Sequence, residues 1–203
     1  MKDLSRSFAR AFSIPAAARA LLARTLLAPT LLTLALAGCR GGAEAVKVEG
    51  DFSSHVVDIG IVASDVERSA AFYTKALGFT EMPGFDVPAS LGADAGLADS
   101  KAFHVRVFVL ADAPAATKVK LMQFADAPGA KPDNAFLHST VGFRYLTVMV
   151  SDMTAAVERA AKAGATPIAK GPCPLPKGFP EGVYLAVFRD PDGNFVEFVG
   201  PKK

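Results

Sequence analysis

The sequence predicts an α+β fold in which two tandem βαβββ modules form an incomplete barrel around a central cavity. Two observations carry the repeat. "DIGIVASDVERS", from Asp58, and "YLTVMVSDMTAA", from Tyr145, both run alternating apolar residues into Ser-Asp and then into a helix-like stretch. Their capping aspartates, Asp65 and Asp152, stand 87 positions apart. A third observation divides them: in "APGAKPDNAF" proline and glycine cluster between two periodic regions.

Module one, 55–126, opens with a strand in which Ile59, Ile61 and Ala63 alternate with Asp58, Gly60 and Val62. Ser64-Asp65 supplies an N-cap, with Glu67 in the first turn beyond it. The helix "VERSAAFYTKALGF" places Val66, Ala70, Tyr73 and Leu77 at helical spacing and ends at Gly78. Strands are expected near 79–87, 103–110 and 118–124. After a connector, 127–141, module two (142–201) repeats the order. Leu146, Val148 and Val150 alternate with Tyr145, Thr147 and Met149. Ser151-Asp152 caps "MTAAVERAAKAGA", with Val157 and Ala161 facing inward and Gly164 stopping the helix. "TPIAK", "VYLAVF" and "NFVEFVG" supply three further strands. "RDPDGN" is a hairpin turn, Pro191 presetting φ and Gly193 taking a positive φ, and is read as a turn and nothing more.

Each module is a sheet with a helix on one face only, so its other face needs a partner. That need explains the repeat: each half supplies what the other cannot bury alone. Ile59, Ile61, Leu146 and Val148 are expected against the helices, with Asp58 and Tyr145 on the cavity side.

The first 38 residues are a targeting segment rather than part of the fold. Five basic residues precede an apolar stretch from Leu26 to Ala37, too short and interrupted to span a bilayer. "LAGC", ending at Cys39, resembles the lipobox of bacterial lipoproteins. That resemblance implies diacylglycerol on the Cys39 thiol, cleavage before it, and a protein exported and lipid-anchored to the bacterial cell envelope, facing the periplasm. Residues 39–54 are then a tether. The segment carries +4, so the chain's +2 becomes −2 without it, and a nucleic-acid partner loses its support. Cys173 remains as a lone thiol among prolines, with no base in its sequence neighbourhood to activate it.

The motifs "GIVASDVERSAAFYTKALGF" and "VMVSDMTAAVERAAKAGA…FRDPDGNFVEF" resemble the vicinal oxygen chelate superfamily, which includes glyoxalase I, extradiol dioxygenases and the bleomycin- and fosfomycin-resistance proteins. In metal-dependent members the ligands come from the first and last strands of each module. Carried over residue by residue, those positions fall on Asp58, Lys120, Tyr145 and Glu197. Asp58 and Glu197 suit Zn, Mn or Fe, whereas Tyr145 is an uncommon ligand and Lys120 has no lone pair to give as an ammonium. Lys120 is expected within ion-pair reach of Asp58 or Glu197, in the place of a metal. Alternatively the four residues simply satisfy one another.

Other histidines do not complete a metal site: His55 falls on the opposite strand face from Asp58, and His138 lies in the connector. The expected cavity lining is Val62, His104, Arg106, Phe108, Met122, Thr147, Met149 and Phe195. "PGFDVPASLGADAG" and "GPCPLPKGFPEG" are its expected rim. Aromatic and Met side chains with a few polar groups suit a small organic molecule. Three functions stay open. The first is a metal-free, cofactor-free ligand-binding protein, tied to the bilayer through acylated Cys39. The second is a metal-dependent lyase, isomerase or dioxygenase. The third is a non-catalytic protein displaying loops to an envelope partner. Two modules can close a barrel alone or swap within a homodimer.

Overall fold

The computed structural model describes residues 50, 51 and 53–203, so the targeting segment, Cys39 and most of the tether lie outside the described residues. Module one contains β1 (Ile59–Val62), α1 (Val66–Ala71, continued by a π-helical turn Phe72–Ala76), β2 (Thr80–Val87), α2 (Ala89–Asp94), β3 (Phe103–Val109) and β4 (Val119–Met122). Module two contains β5 (Tyr145–Met149), α3 (Met153–Lys162), β6 (Cys173–Pro174), β7 (Val183–Arg189) and β8 (Phe195–Pro201). The sheets have the same order, β1-β4-β3-β2 and β5-β8-β7-β6. In each, the first strand runs parallel to the last and the other pairs are antiparallel. The two sheets are open: no ladder joins β1 to β5 among the described residues. None of the described helices is long and apolar enough to cross a membrane.

Both helices begin as the Ser-Asp motif requires. Asp65 accepts the Arg68 amide and Asp152 accepts the amides of Thr154 and Ala155, each satisfying a donor that the first helical turn leaves orphaned. Gly78, at φ 85°, ends the first helix, and Gly164, at φ 81°, the second. Arg159 of α3 then donates to the carbonyls of Ala76 and Leu77, at 3.2 and 3.1 Å. A cation from module two thus satisfies the C-terminal carbonyls of the module-one helix.

One core spans both modules. Tyr73, Leu77, Phe108 and Leu121 of module one pack in a single cluster with Val148, Met153, Phe188 and Phe198 of module two. Ile61 and Leu146 pack against it, on the helix side of their strands. Burial of this apolar surface is the main force holding the modules together.

Several expectations are corrected. "TPIAK" is not a strand; Ile168 donates one bond to Val187, and the second strand of module two is the two-residue β6. Pro167, Pro172, Pro174 and Pro176 lack an N–H, so the ladder through this stretch is cut to the two residues of β6. Ala161 faces solvent, because the buried stripe of α3 is Met153, Ala156 and Ala160, with Val157 at its margin. The expected rim loop after β2 contains α2. "RDPDGN" does turn, with Gly193 donating to Asp190. It is also a docking element: the Pro191 carbonyl accepts from Arg68, and Asp192 accepts from the amide and hydroxyl of Ser64.

Candidate functional site

Residues opposite one another in a ladder share a sheet face, so the register assigns every side chain. Val119 and Leu121 of β4 face the helices, and Lys120 and Met122 face the open side. Val62 pairs with Met122, and Gly60 with Lys120, so they share that open face. In module two Thr147 pairs with Glu197, and Tyr145 with Phe195. Val62, Met122, Thr147, Met149 and Phe195 therefore lie on the open faces of their sheets.

His104, Arg106 and Phe108 do not. Phe108 pairs with Val119 and is fully buried against Tyr73, on the helix side. Arg106 is held between Glu67 of α1, at 2.7 Å, and Glu81 of β2, at 2.6 Å. Those bonds, Glu81's first, raise its pKa further, and the Arg106 hydrogen bond holds the Glu81 carboxyl below its usual range. His104 pairs with Asp86 across the β2–β3 ladder at 2.7 Å. The open face of β3 is instead Val105, Val107 and Val109. Its strand carries apolar residues in both alternating sets, and the polar set found its partners on the helix side.

The four metal-equivalent positions fall into two pairs, one per sheet. In module one Lys120 Nζ lies 2.9 Å from Asp58 Oδ2, and Asp58 Oδ1 accepts the Lys118 amide at 3.1 Å. The Lys120 hydrogen bond lowers the Asp58 pKa, against a smaller opposing effect of burial. In module two the Thr147 hydroxyl donates to Glu197 at 3.0 Å, and Tyr145 is exposed beside it. No ion pair joins Lys120 to Glu197 among the described residues. Each module satisfies its carboxylate differently: Asp58 by an ion pair with an ammonium, and Glu197 by a hydrogen bond from a neutral hydroxyl.

This donor set does not fit a divalent ion. The Lys120 ammonium offers only protons, and a cation beside it would be repelled. Among the described residues no three His, Cys, Asp or Glu side chains are grouped to hold a metal. Cys173 is exposed, and its thiol faces the Lys170 carbonyl rather than a base.

Among the described residues, none of the four cavities gathers the expected lining. The open face of module one instead carries a cavity of about 340 Å³, floored by Met82, Val107 and Val109, with Phe85 at its side. Lys118, Lys120 and Asp112 stand at its edge. Lys118 was not among the expected site residues. The spacing of "KVK" puts both lysines on one strand face, which was the available signal.

Comparison with known proteins agrees with this architecture. The sequence profile of the Glyoxalase/Bleomycin resistance protein/Dioxygenase superfamily matches residues 54–198. A glyoxalase family protein from Bacillus cereus superposes with TM-score 0.61 at 17% identity, covering 77% of this chain and 99% of that one. A glyoxalase I from Leishmania major described as trypanothione-dependent gives 0.51 at 21% identity, covering 73% and 87%. A glyoxalase I variant from Zea mays gives 0.54 at 16% identity, covering 73% of this chain and 45% of that one. At these identities the structures share the fold alone. No curated protein sequence matches the chain. With two βαβββ modules and a profile match across nearly all of 54–203, this chain belongs to the glyoxalase/bleomycin resistance protein/dioxygenase superfamily.

Proposed function

We propose that the chain is a cell-envelope lipoprotein whose domain binds a small organic ligand without a metal, on the open face of module one. The observation that carries this reading is the 2.9 Å contact of Lys120 with Asp58. An ammonium occupies the strand position from which relatives of this fold would offer a metal ligand, and it satisfies the carboxylate beside it. The adjoining cavity of about 340 Å³ is within the size range of small-molecule sites, with an apolar floor and few polar groups. Two lysines at its edge favour a ligand with a polar or anionic end.

The "LAGC" motif supports attachment to the bilayer through acylated Cys39. Cys39→Ser should then shift the protein from the detergent to the aqueous phase in phase partitioning, or leave an uncleaved precursor. Equal aqueous partitioning of both forms rejects the lipoprotein reading.

Calorimetric titration of Mn²⁺ and Zn²⁺ into the full chain tests the metal-free reading, alongside a thermal-shift screen of small organic acids. Wild type should show no stoichiometric metal uptake, and Lys120→Glu should gain it by adding an oxygen ligand. Tight one-to-one binding by wild type, abolished by Glu197→Ala, would overturn the proposal and favour a metal-dependent lyase, isomerase or dioxygenase. A screen without any ligand, with no metal bound, would favour the protein-interaction reading.

A further inference from the structure

Among the described residues, the two strands that begin the modules, β1 and β5, are each paired on one side only. Between them runs a crevice of about 530 Å³, lined mainly by helix-side residues of both sheets and meeting the open-face cavity only at Ala111. Its floor is buried and apolar: Val119, Val148 and Phe79 are 1%, 3% and 7% exposed. Its mouth is apolar too, with Val57 73% and Leu110 51% exposed. No ionisable side chain lines it. Of its two hydroxyls, that of Thr147 is committed to Glu197, which leaves Thr117 at the rim.

We propose that this crevice is a binding site for an uncharged, largely apolar small molecule. Charge decides the class. A charged group entering the crevice would lose its hydration and meet no counter-ion, which disfavours its binding strongly. An apolar body loses nothing of the kind and gains by leaving water in proportion to its buried area. Size sets the lower bound, since an apolar cavity of about 150 Å³ holds one benzene ring. The crevice is more than three times that, so it takes a fused aromatic pair or an aliphatic chain. The unpaired edges of β1 and β5 lie alongside, so the occupant can carry one neutral hydrogen-bonding group.

The test uses two fluorescent probes that differ by one charge, N-phenyl-1-naphthylamine and its sulfonated analogue 8-anilino-1-naphthalenesulfonate. They are titrated separately into the full chain below the critical micelle concentration of any detergent. The uncharged probe should bind saturably at one site per chain and at least about ten-fold more tightly than the sulfonate. Ala116→Phe, which fills the crevice from its rim, and Leu110→Lys, which places an ammonium at the mouth, should each weaken it about ten-fold or more. Phe143→Ser, on a fully exposed loop side chain, should leave it unchanged. Ala116 is half-buried, and Leu110 and Phe143 are exposed, so the fold should survive, and circular dichroism melts check that. Equal or tighter binding of the sulfonate overturns the proposal. So does binding insensitive to both crevice variants, which places the probe elsewhere, on the apolar 26–37 stretch for example. Probe affinity that falls with protein concentration in step with dimerisation, measured by sedimentation, also overturns it and assigns the crevice to a second copy.

Discussion

The hydroxyl of Tyr73, in the module-one helix, donates to Oδ2 of Asp190, in the module-two hairpin, at 3.4 Å. Both residues are buried. Asp190 also accepts the amides of Asp192 and Asn194, at 2.9 and 2.8 Å, and the Asn194 side-chain amide at 2.8 Å. Burial raises the pKa of both partners, and for Asp190 it outweighs the donors that surround it. The hairpin that closes the second sheet therefore carries a polar bolt into the first module.

Tyr73→Phe removes one donor and keeps the ring in the core. Asp190 retains three donors, so the loss should be about 1 kcal/mol, the net value of one hydrogen bond. Urea melts of wild type and variant measure it. A cost near zero would mean that the long 3.4 Å contact contributes nothing to the join between modules.

Asp190 also sets a pH dependence. Its folded pKa lies above the ordinary carboxyl value of about 3.9, so folding favours the protonated form. The stability this group contributes is fully present below the unfolded pKa and is lost as pH rises through the folded one. Asp190→Asn cannot titrate, so wild type should lose stability relative to it as pH rises from the acid side through the raised pKa. Asp58 works in the opposite sense. Its pKa is lowered, so its contribution is present above the unfolded value and lost as pH falls through the folded one. Paired melts across pH 3–8 (roughly the range in which carboxyls of this kind titrate) separate the two. A constant difference between wild type and Asp190→Asn would reject the raised pKa.

Lys120→Ala should cost little despite its short contact. Lys120 and Asp58 side chains are each 30% exposed, and pairs so open to water contribute roughly 0.2–1 kcal/mol. The cost should shrink further in 0.5 M salt, where screening is short-ranged, at roughly 3–5 Å. A loss well beyond this range in denaturant melts would show the carboxylate to be far drier than its exposure indicates.

Phe108→Ala tests the face assignment of β3. A fully buried Phe replaced by Ala should cost about 3–5 kcal/mol. Had Phe108 lined an open cavity, the loss would be small and confined to ligand affinity. Thermal melts distinguish these directly.

The sequence by itself determined the repeat, the two capped helices, the faces of β1 and β5, and the presence of a lysine among the metal-equivalent positions. These are local properties: period-two alternation, an aspartate before a helix, a glycine after it, and spacing from a motif. Where both alternating sets of a strand were mixed, as in "FHVRVFV", alternation could not say which set faced the helices. Only the tertiary structure decided that, because Glu67 and Glu81 supply Arg106 with partners on the helix side. The same holds for "RDPDGN", whose turn was legible but whose docking depends on Tyr73, Arg68 and Ser64, all more than 100 positions away. Asp58 and Lys120 were readable as opposite charges on matching strands. Their pairing, and the assignment of Glu197 to Thr147 instead, depended on the parallel registers of β1 with β4 and of β5 with β8. Register is a long-range property, since a one-residue slip would turn every one of these side chains to the other face.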